Sequence, residues 1–327
     1  MLTLAWYCPS EGDGHHLGTR APERAPDIAY LRRVVEAADA AGAAEILIPT
    51  GSVNDSFAPT APFAESWTTA AALAATTERI RLIVAVNPAA IEPALVAHQA
   101  ETLESIAPGR IAINLVAGGG PAPAHGEPVR DHAARYARLG ALADALAARF
   151  PGPLYLGGAS PEAIDLALRV ADAYLMWGEP AERIAERIDA VRARATRPMR
   201  FGLRLHVIAR ETDAAARAAA ADLLAKAAVG ADRAAEYAGF DSVGQARMNA
   251  IDADAEGWVE PGLWAGIRAV RGGAGTALVG SYQRVAGSLA RYREAGVDLV
   301  IASGYPHLEE VSRVGTRVWP LLERVAA

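Results

Sequence analysis

Three segments of the sequence place ionisable side chains at the ends of apolar runs. They are Arg204-Leu-His206, Arg271-Gly-Gly-Ala-Gly-Thr-Ala-Leu-Val-Gly280 and Ser303-Gly-Tyr-Pro-His-Leu-Glu-Glu310. The candidate site residues in them are Arg204, His206, Arg271, Tyr305 and His307. Arg204 and His206 are two residues apart on a predicted strand, so their side chains share a face. If the segments meet, two guanidiniums, two imidazoles and a phenol line a pocket that suits an anionic substrate.

Each segment taken alone also has a structural interpretation. Arg204 and His206 fit a solvent-facing strand end, and Tyr305 and His307 fit a turn stiffened by Pro306 before a helix. The glycine-rich run after Arg271 fits either a hinge or a backbone nest for an anion. Two buried arginines without anionic partners would be costly, so the set together favours a ligand.

A second candidate site follows another predicted strand, at Leu156-Gly-Gly-Ala-Ser160. Backbone N–H groups, the Ser160 hydroxyl and the N-terminus of the next helix together form a seat for a phosphate. A Ser N-cap before Pro161 is the structural alternative. Tyr136, early in the preceding helix, is placed to add a hydroxyl to the same phosphate.

Composition excludes several classes of function. The 327 residues carry a net charge of −6 without a basic block, which argues against nucleic acid and against an anionic membrane surface. Cys8 is the single cysteine, and the seven histidines show no metal-ligand spacing, so no metal site is predicted. No Gly-x-Ser-x-Gly elbow occurs. Residues 1–8 do not read as a signal peptide, and no apolar run reaches the ~20 residues of a membrane helix, so we expect a cytoplasmic protein.

Short apolar runs alternate with amphipathic helical patterns along the whole chain, which predicts one TIM (β/α)8 barrel domain over 1–327. The predicted strands are 2–8, 45–49, 80–86, 110–116, 153–156, 173–177, 199–208 and 297–302. The predicted helices lie near 27–41, 65–77, 91–106, 131–149, 161–171, 181–195, 211–228, 283–295 and 309–325. A doubly wound sheet is the alternative, disfavoured because no Gly-x-Gly-x-x-Gly turn follows the first strand.

Two connections are longer than the alternation requires. Residues 229–280 form an insertion between strands 7 and 8, for which we predict a helix at 232–251 and a mobile section near 252–275. The loop at 50–64 follows strand 2. Loops after strands lie on the catalytic face of a barrel, so both are candidate lids.

Seven motifs, in the same order along nearly the whole chain, resemble the FMNH2-dependent alkanesulfonate monooxygenases of the bacterial luciferase-like flavin monooxygenases. They are Gly12-Asp-Gly-His-His-Leu-Gly-Thr19, Ile48-Pro-Thr-Gly51, Phe201-Gly-Leu-Arg-Leu-His-Val-Ile208, Asp241-Ser-Val-Gly-Gln245, Leu263-Trp-Ala-Gly266, Val270-Arg-Gly-Gly-Ala-Gly-Thr-Ala-Leu-Val-Gly280 and Ser303-Gly-Tyr-Pro-His-Leu-Glu-Glu310.

The resemblance implies a barrel whose 229–280 insertion closes over a flavin, in a homodimer or homotetramer. It implies FMNH2 supplied by a separate NAD(P)H-dependent reductase, and O2-dependent conversion of a sulfonate into aldehyde and sulfite. Arg204 and Arg271 would face the substrate and the oxygenated flavin, with His206, Tyr305 and His307 around them. The implied cofactor residues are Tyr136, Gly157, Gly158, Ser160, Trp177 and Asn114.

Departures from the family lie mainly on the substrate side. The family's cysteine after strand 2 falls at Phe63 or Asn54 here, and its acidic partner of the first arginine falls at Arg20, with Glu23 as a possible substitute. A hairpin before strand 5 is absent. These departures keep a sulfone or another heteroatom substrate open as an alternative. A deazaflavin-dependent oxidoreductase is a further alternative on fold analogy alone, with motifs that match less well. A non-catalytic flavin-binding relative is disfavoured by the intact set of Arg204, His206, Arg271, Tyr305 and His307.

Overall fold

A closed barrel of eight parallel strands forms the centre of the molecule. The computed structural model describes residues 1–51, 53–88, 91–118, 131–228 and 241–325. The barrel strands are β1 Thr3–Tyr7, β2 Glu45–Ile48, β3 Arg81–Val86, β4 Ile111–Leu115, β5 Leu154–Gly157, β6 Ala173–Trp177, β7 Arg200–Arg210 and β11 Leu299–Ser303. Each pairs with the next, and β11 closes the ring between β7 and β1. The predicted TIM barrel is confirmed, and the doubly wound alternative is wrong.

Helices follow the strands and cover the outside of the barrel. They are α1 Ile28–Ala40, α2 Ser66–Ala74, α3 Pro93–Ile106, α4 His132–Ala147, α5 Pro161–Val170, α6 Ala181–Arg192, α7 Asp213–Leu224, α8 Val243–Asn249, α9 Tyr282–Glu294, α10 His307–Arg313 and α11 Trp319–Val325. Side chains of Asp27, Asp131 and Thr212 cap helices by accepting from backbone N–H groups. The helix predicted at 309–325 begins earlier, at His307, and a π-helical turn at Val314–Val318 divides it. Among the described helices, none has the length and apolar character needed to cross a membrane.

Strand β7 is longer than its neighbours because it pairs with three strands. Residues 200–206 pair with β6 or β11, and the residues from His206 onwards pair in parallel with β10 Ala277–Ser281. Strands β9 Leu263–Trp264 and β8 Trp258–Glu260 continue the same sheet beyond β10 in antiparallel order.

Two of these strands, β8 and β9, lie within 252–275, where the sequence analysis predicted a mobile section and named no strand. Strands of two or three residues are too short to show an alternating pattern. The prediction of mobility there remains a prediction. Of the helix predicted at 232–251, the end is present as α8, and residues 229–240 lie outside the described residues.

A buried carboxylate closes the N-terminal end of the barrel. Glu45, the first residue of β2, accepts hydrogen bonds from Arg200 Nη1 at 3.0 Å and from Tyr155 Oη at 2.9 Å. Arg81, the first residue of β3, lies 3.4 Å from it. Burial and the Glu45 charge raise the pKa of Tyr155, which stays a neutral donor. The cluster joins β2, β3, β5 and β7 at the end opposite the catalytic face.

We expect Glu45→Gln to lower the free energy of unfolding by about 2 kcal/mol, because Arg81 and Arg200 lose their shared counter-charge. The loss should be smaller than for a fully buried pair, since both guanidiniums are 35% exposed. Urea denaturation measures it. Glu36→Gln, which breaks an exposed pair with Arg32 on α1, is the control. Equal stability of the two variants would contradict a stabilising role for Glu45.

Candidate functional site

The predicted site residues meet along one arc of the barrel mouth. Strands β4, β5, β6, β7, β11 and β1 are successive neighbours, and their carboxyl ends form this arc. The side chains or turns that they contribute are, in order, Asn114, Gly157, Trp177, Arg204, His206, Tyr305, His307 and Tyr7. All eight positions are buried or half-buried. The sequence motifs therefore converge in space, as the predicted pocket requires.

Arg204 is a buried cation with no carboxylate partner in the part of the chain that the structure describes. Its side chain is 6% exposed, its guanidinium carbon lies 4.3 Å from the centre of the Tyr7 ring, and Nη1 donates to the Leu205 carbonyl at 2.7 Å. No carboxylate oxygen of the described residues lies within 4.0 Å of it. Burial lowers the pKa of Arg204 to about 10, so the group remains charged at neutral pH. A charge in this state favours binding of an anion.

The Arg271 guanidinium also lies near the Tyr7 ring, but it has a hydrogen-bond acceptor and a carboxylate partner within the protein. Its Nη1 donates to Tyr305 Oη at 3.2 Å, and Nη2 lies 3.6 Å from Glu11 Oε2. Its guanidinium carbon is 5.9 Å from the centre of the Tyr7 ring. Burial acts to lower the pKa of Arg271, but the Glu11 carboxylate outweighs it and raises that pKa well above the usual value.

Glu11 is an acidic partner of Arg271 that the sequence did not predict. Among the described residues, neither Glu23 nor any other carboxylate lies within 4.0 Å of the first arginine, Arg204. Glu23, named as a substitute, instead contacts His15 and His16 at the surface, and Arg20 is exposed. The position of Glu11 after a buried strand is a weak signal: it follows the end of β1, as Tyr305 follows the end of β11.

The two histidines of the pocket are neutral. His206 Nε2 lies 3.0 Å from the Ala274 carbonyl, which only accepts, so Nε2 carries the proton and Nδ1 accepts from Ser303 Oγ at 2.7 Å. His307 Nδ1 accepts from Trp6 Nε1 at 3.2 Å. Burial, with the nearby arginine charges, lowers the pKa of both imidazoles well below the ordinary value.

A second buried acid fixes the turn that carries His307. Asp13 accepts from the His307 backbone N–H at 2.7 Å, from the Gly14 N–H and from Tyr30 Oη. Burial raises the pKa of Asp13 to about 6, and Arg24 lies 3.8 Å away as a partial counter-charge. The sequence did not single out Asp13 as a separate site residue, because its partners are distant along the chain.

The predicted phosphate seat is built around the Gly158 backbone. Ser160 caps α5 by accepting from Ala163 N–H at 3.2 Å. Gly158 has φ of +149°, and a Cβ there would lie 2.6 Å from the Ala163 Cβ and 3.3 Å from Tyr136 Oη. Tyr174 Oη donates to the Gly158 carbonyl. The turn is therefore open toward Tyr136 only because residue 158 has no side chain.

Asn114 and Trp177 flank this seat. Asn114 Oδ1 is buried and has no hydrogen-bond partner in the described protein, which favours a ligand at that atom. Trp177 is paired with Arg204 in the β6–β7 register, and its ring lies close to Gly244 and Gly273. The Gly273 N–H donates to Gln245 Oε1 at 2.9 Å, so part of the candidate anion nest after Arg271 is already occupied by the protein.

Among the described residues, no group of three or more His, Cys, Asp or Glu side chains is arranged to hold a metal ion. The unpartnered Asn114 Oδ1, the open Gly158 turn and the cap at Ser160 fit an organic cofactor that carries a phosphate.

The neutral state of His206 predicts a dependence of stability on pH. The unfolded imidazole gains a proton below about pH 6.5 and the folded one does not, so stability falls as pH falls through that value, by about 1.4 kcal/mol per pH unit for each such histidine. His206→Gln should remove one histidine's share of this slope in urea denaturation. His98→Gln, at an exposed position on α3, should keep the wild-type slope. Identical slopes for all three proteins would contradict a neutral buried His206.

Comparisons with known proteins agree with this architecture. The profile of the family described as luciferase-like monooxygenase matches residues 2–150 and 140–299. Riboflavin lyase RcaE, solved with a modified FMN and the substrate riboflavin, has a TM-score of 0.79 at 17% identity, over 100% of this chain and 92% of that chain. EDTA monooxygenase EmoA from Chelativorans sp. BNC1 has a TM-score of 0.75 at 16% identity, over 99% and 94%. DmoA from Hyphomicrobium sulfonivorans has a TM-score of 0.75 at 18% identity, over 99% and 88%. At these identities the solved structures show a shared fold.

Proposed function

The chain belongs to the luciferase-like monooxygenase family, and from that premise we propose a two-component flavin monooxygenase that oxygenates and desulfonates a small organosulfonate. The products are an aldehyde and sulfite. Reduced FMN, delivered by an NAD(P)H-dependent reductase, supplies the electrons that activate O2 when it is bound.

Arg204 is the observation that carries this proposal. It is buried and charged, and it lacks a carboxylate partner among the described residues. A guanidinium donates two parallel hydrogen bonds to two oxygens of a sulfonate and keeps its charge at any physiological pH. The anionic head group of the substrate would supply the missing counter-charge.

The phosphate of FMN is assigned to the seat formed by Tyr136, Gly157, Gly158 and Ser160. Backbone N–H groups at the N-terminus of α5 and the two hydroxyls would hold it, and the helix dipole adds a favourable field. Asn114 Oδ1 needs a hydrogen-bond donor and would receive one from the flavin ring system. Trp177, between this seat and Arg204, would form an apolar wall beside that ring.

The remaining pocket residues would set the charge of the site. Neutral His206 and His307 add no competing cation, and Tyr305 stays protonated because burial raises its pKa. Arg271, fixed between Tyr305 and Glu11, would stabilise negative charge that develops on oxygen during the reaction. We include the 229–280 insertion in this proposal as the lid that excludes water.

A sulfone or another heteroatom substrate is the second candidate, and the loop after β2 favours it. Asn54, at one of the two positions aligned with the family's cysteine, donates to the carbonyls of Glu11 and Pro62 at 2.6 and 2.8 Å. Ser56 from the same loop lies 3.3 Å from Tyr305 Oη. The substrate side of the pocket therefore contains hydroxyl and amide groups rather than a thiol.

Sulfite release tests the proposal. FMNH2 from a generic flavin reductase, O2 and straight-chain sulfonates of graded length are supplied, and sulfite is assayed. Sulfite that depends on flavin and O2 supports the desulfonation. Oxygenation of a sulfone without sulfite from any sulfonate would move the function to the second candidate. If neither sulfite nor an oxygenated sulfone forms, both candidate functions are contradicted.

We expect Arg271→Ala to lower turnover by about 100-fold or more, the usual size of effect when a preorganised donor to developing charge is removed. Circular dichroism checks that the fold is retained. Arg32→Ala, an exposed change on α1, should leave turnover unchanged. Near-normal product formation by Arg271→Ala would remove this residue from the mechanism.

Ser160→Ala should weaken FMNH2 binding several-fold, because the phosphate loses a hydroxyl donor at the helix N-terminus. Anaerobic titration measures the dissociation constant. Thr212→Ala removes an equivalent cap from α7, where Thr212 accepts from Ala215 N–H at 3.2 Å, and controls for loss of capping alone. Unchanged affinity in Ser160→Ala would rule out the phosphate assignment.

A further inference from the structure

Glu11 connects three loops at the barrel mouth. It is 5% exposed, and Oε2 lies 3.6 Å from Arg271 Nη2. Its carboxylate also accepts from Ser56 Oγ and, at 3.3 Å, from the Asp55 N–H, both in the loop after β2. Burying a carboxylate costs free energy unless it is paired and hydrogen-bonded, and these contacts supply the pairing for Glu11.

These contacts form a closed ring of four side chains. Ser56 gives its only hydroxyl proton to Glu11, so the Tyr305 hydroxyl, 3.3 Å from Ser56 Oγ, is the donor between those two. Tyr305 in turn accepts from Arg271 Nη1. Glu11, Ser56, Tyr305 and Arg271 therefore fix one another, and the Arg271 charge is satisfied within the ring.

The net charge of the pocket is the sum of the charges on its ionisable groups. Arg271 and Glu11 cancel, His206 and His307 are neutral, and Asp13 is turned to the His307 backbone, Gly14 and Tyr30. Asp55 also attracts Arg271, but it is only half-buried and is screened by solvent. Of the buried described groups, Arg204 is left as the cation that faces the Tyr7 ring with no carboxylate within 4.0 Å. The buried part of the pocket carries one positive charge in excess.

We propose that Glu11 determines substrate specificity by neutralising Arg271, so that the pocket selects a head group with one negative charge over a head group with two. A sulfonate meets this requirement, whereas a fully ionised phosphonate of the same shape does not. The inference rests on the proposed function for the assignment of this pocket to the substrate, and it adds the charge of the head group and the residue that sets it.

Binding of two matched anions to the flavin-free protein tests this inference. Methanesulfonate and methylphosphonate have similar tetrahedral head groups, and above the second ionisation of the phosphonate they differ by one charge. Isothermal titration calorimetry gives both dissociation constants. We expect the wild type to bind the sulfonate more tightly, and Glu11→Gln to shift the ratio toward the phosphonate by at least about tenfold, because a second guanidinium becomes uncompensated in a site of low dielectric constant.

Two further variants separate this effect from general changes in charge or folding. Glu23→Gln removes one negative charge at the surface and should keep the wild-type ratio. Arg204→Met should abolish binding of the sulfonate. The inference is overturned if the wild type prefers the phosphonate or binds neither anion, if Arg204→Met binds the sulfonate normally, or if folded Glu11→Gln keeps the wild-type ratio. If Glu11→Gln does not fold, a wild type that prefers the phosphonate, or an Arg204→Met variant that binds the sulfonate normally, still overturns the inference.

Failure of this inference differs from failure of the proposed function. Sulfite release by a wild-type protein whose anion preference does not depend on Glu11 would overturn the role of Glu11 and leave the monooxygenase. Charge-selective anion binding that depends on Glu11, without flavin-dependent sulfite release, would support the role of Glu11 and contradict the desulfonation.

Discussion

A guanidinium buried in a protein needs either a carboxylate or a ligand, and the two arginines of this barrel meet that need in different ways. Arg271 is matched by Glu11 and donates to Tyr305, whereas the contacts of Arg204 with the described residues are a tyrosine ring and a backbone carbonyl. The described residues therefore leave one buried positive charge without a carboxylate partner. In the function that we propose, an anionic substrate supplies the missing negative charge.

The barrel geometry explains how residues distant along the chain reach this charge. Parallel strands place all their carboxyl ends at one face, so loops after β1, β2, β7 and β11 meet there. The extended β7 pairs with β10, and the segment before β10 places Arg271 within hydrogen-bond distance of Tyr305. At the other end, Glu45 and its arginines stabilise the barrel without entering the site. The Glu45 cluster and the candidate site thus lie at opposite ends of the barrel.

Much of this arrangement was predictable from the sequence because its signals are local. Buried parallel strands are continuous apolar runs, and Arg204, His206, Tyr305 and His307 stand out because they interrupt or follow such runs. Glu11 and Ser56 were missed because a single acid or serine in a loop has no periodic signal, and the residues that they contact are far away in sequence. Strands β8 and β9 were missed because two or three residues cannot show alternation. Pairing between loops is fixed by tertiary contacts that one sequence does not display.

A crystal structure of the protein with a bound alkanesulfonate tests the central claim most directly. The account predicts sulfonate oxygens within hydrogen-bond distance of the Arg204 guanidinium, with the alkyl chain directed toward Trp177, and Arg271 still held by Glu11 and Tyr305. A sulfonate bound elsewhere in the barrel mouth, with Arg204 still free of an anionic partner, would contradict it.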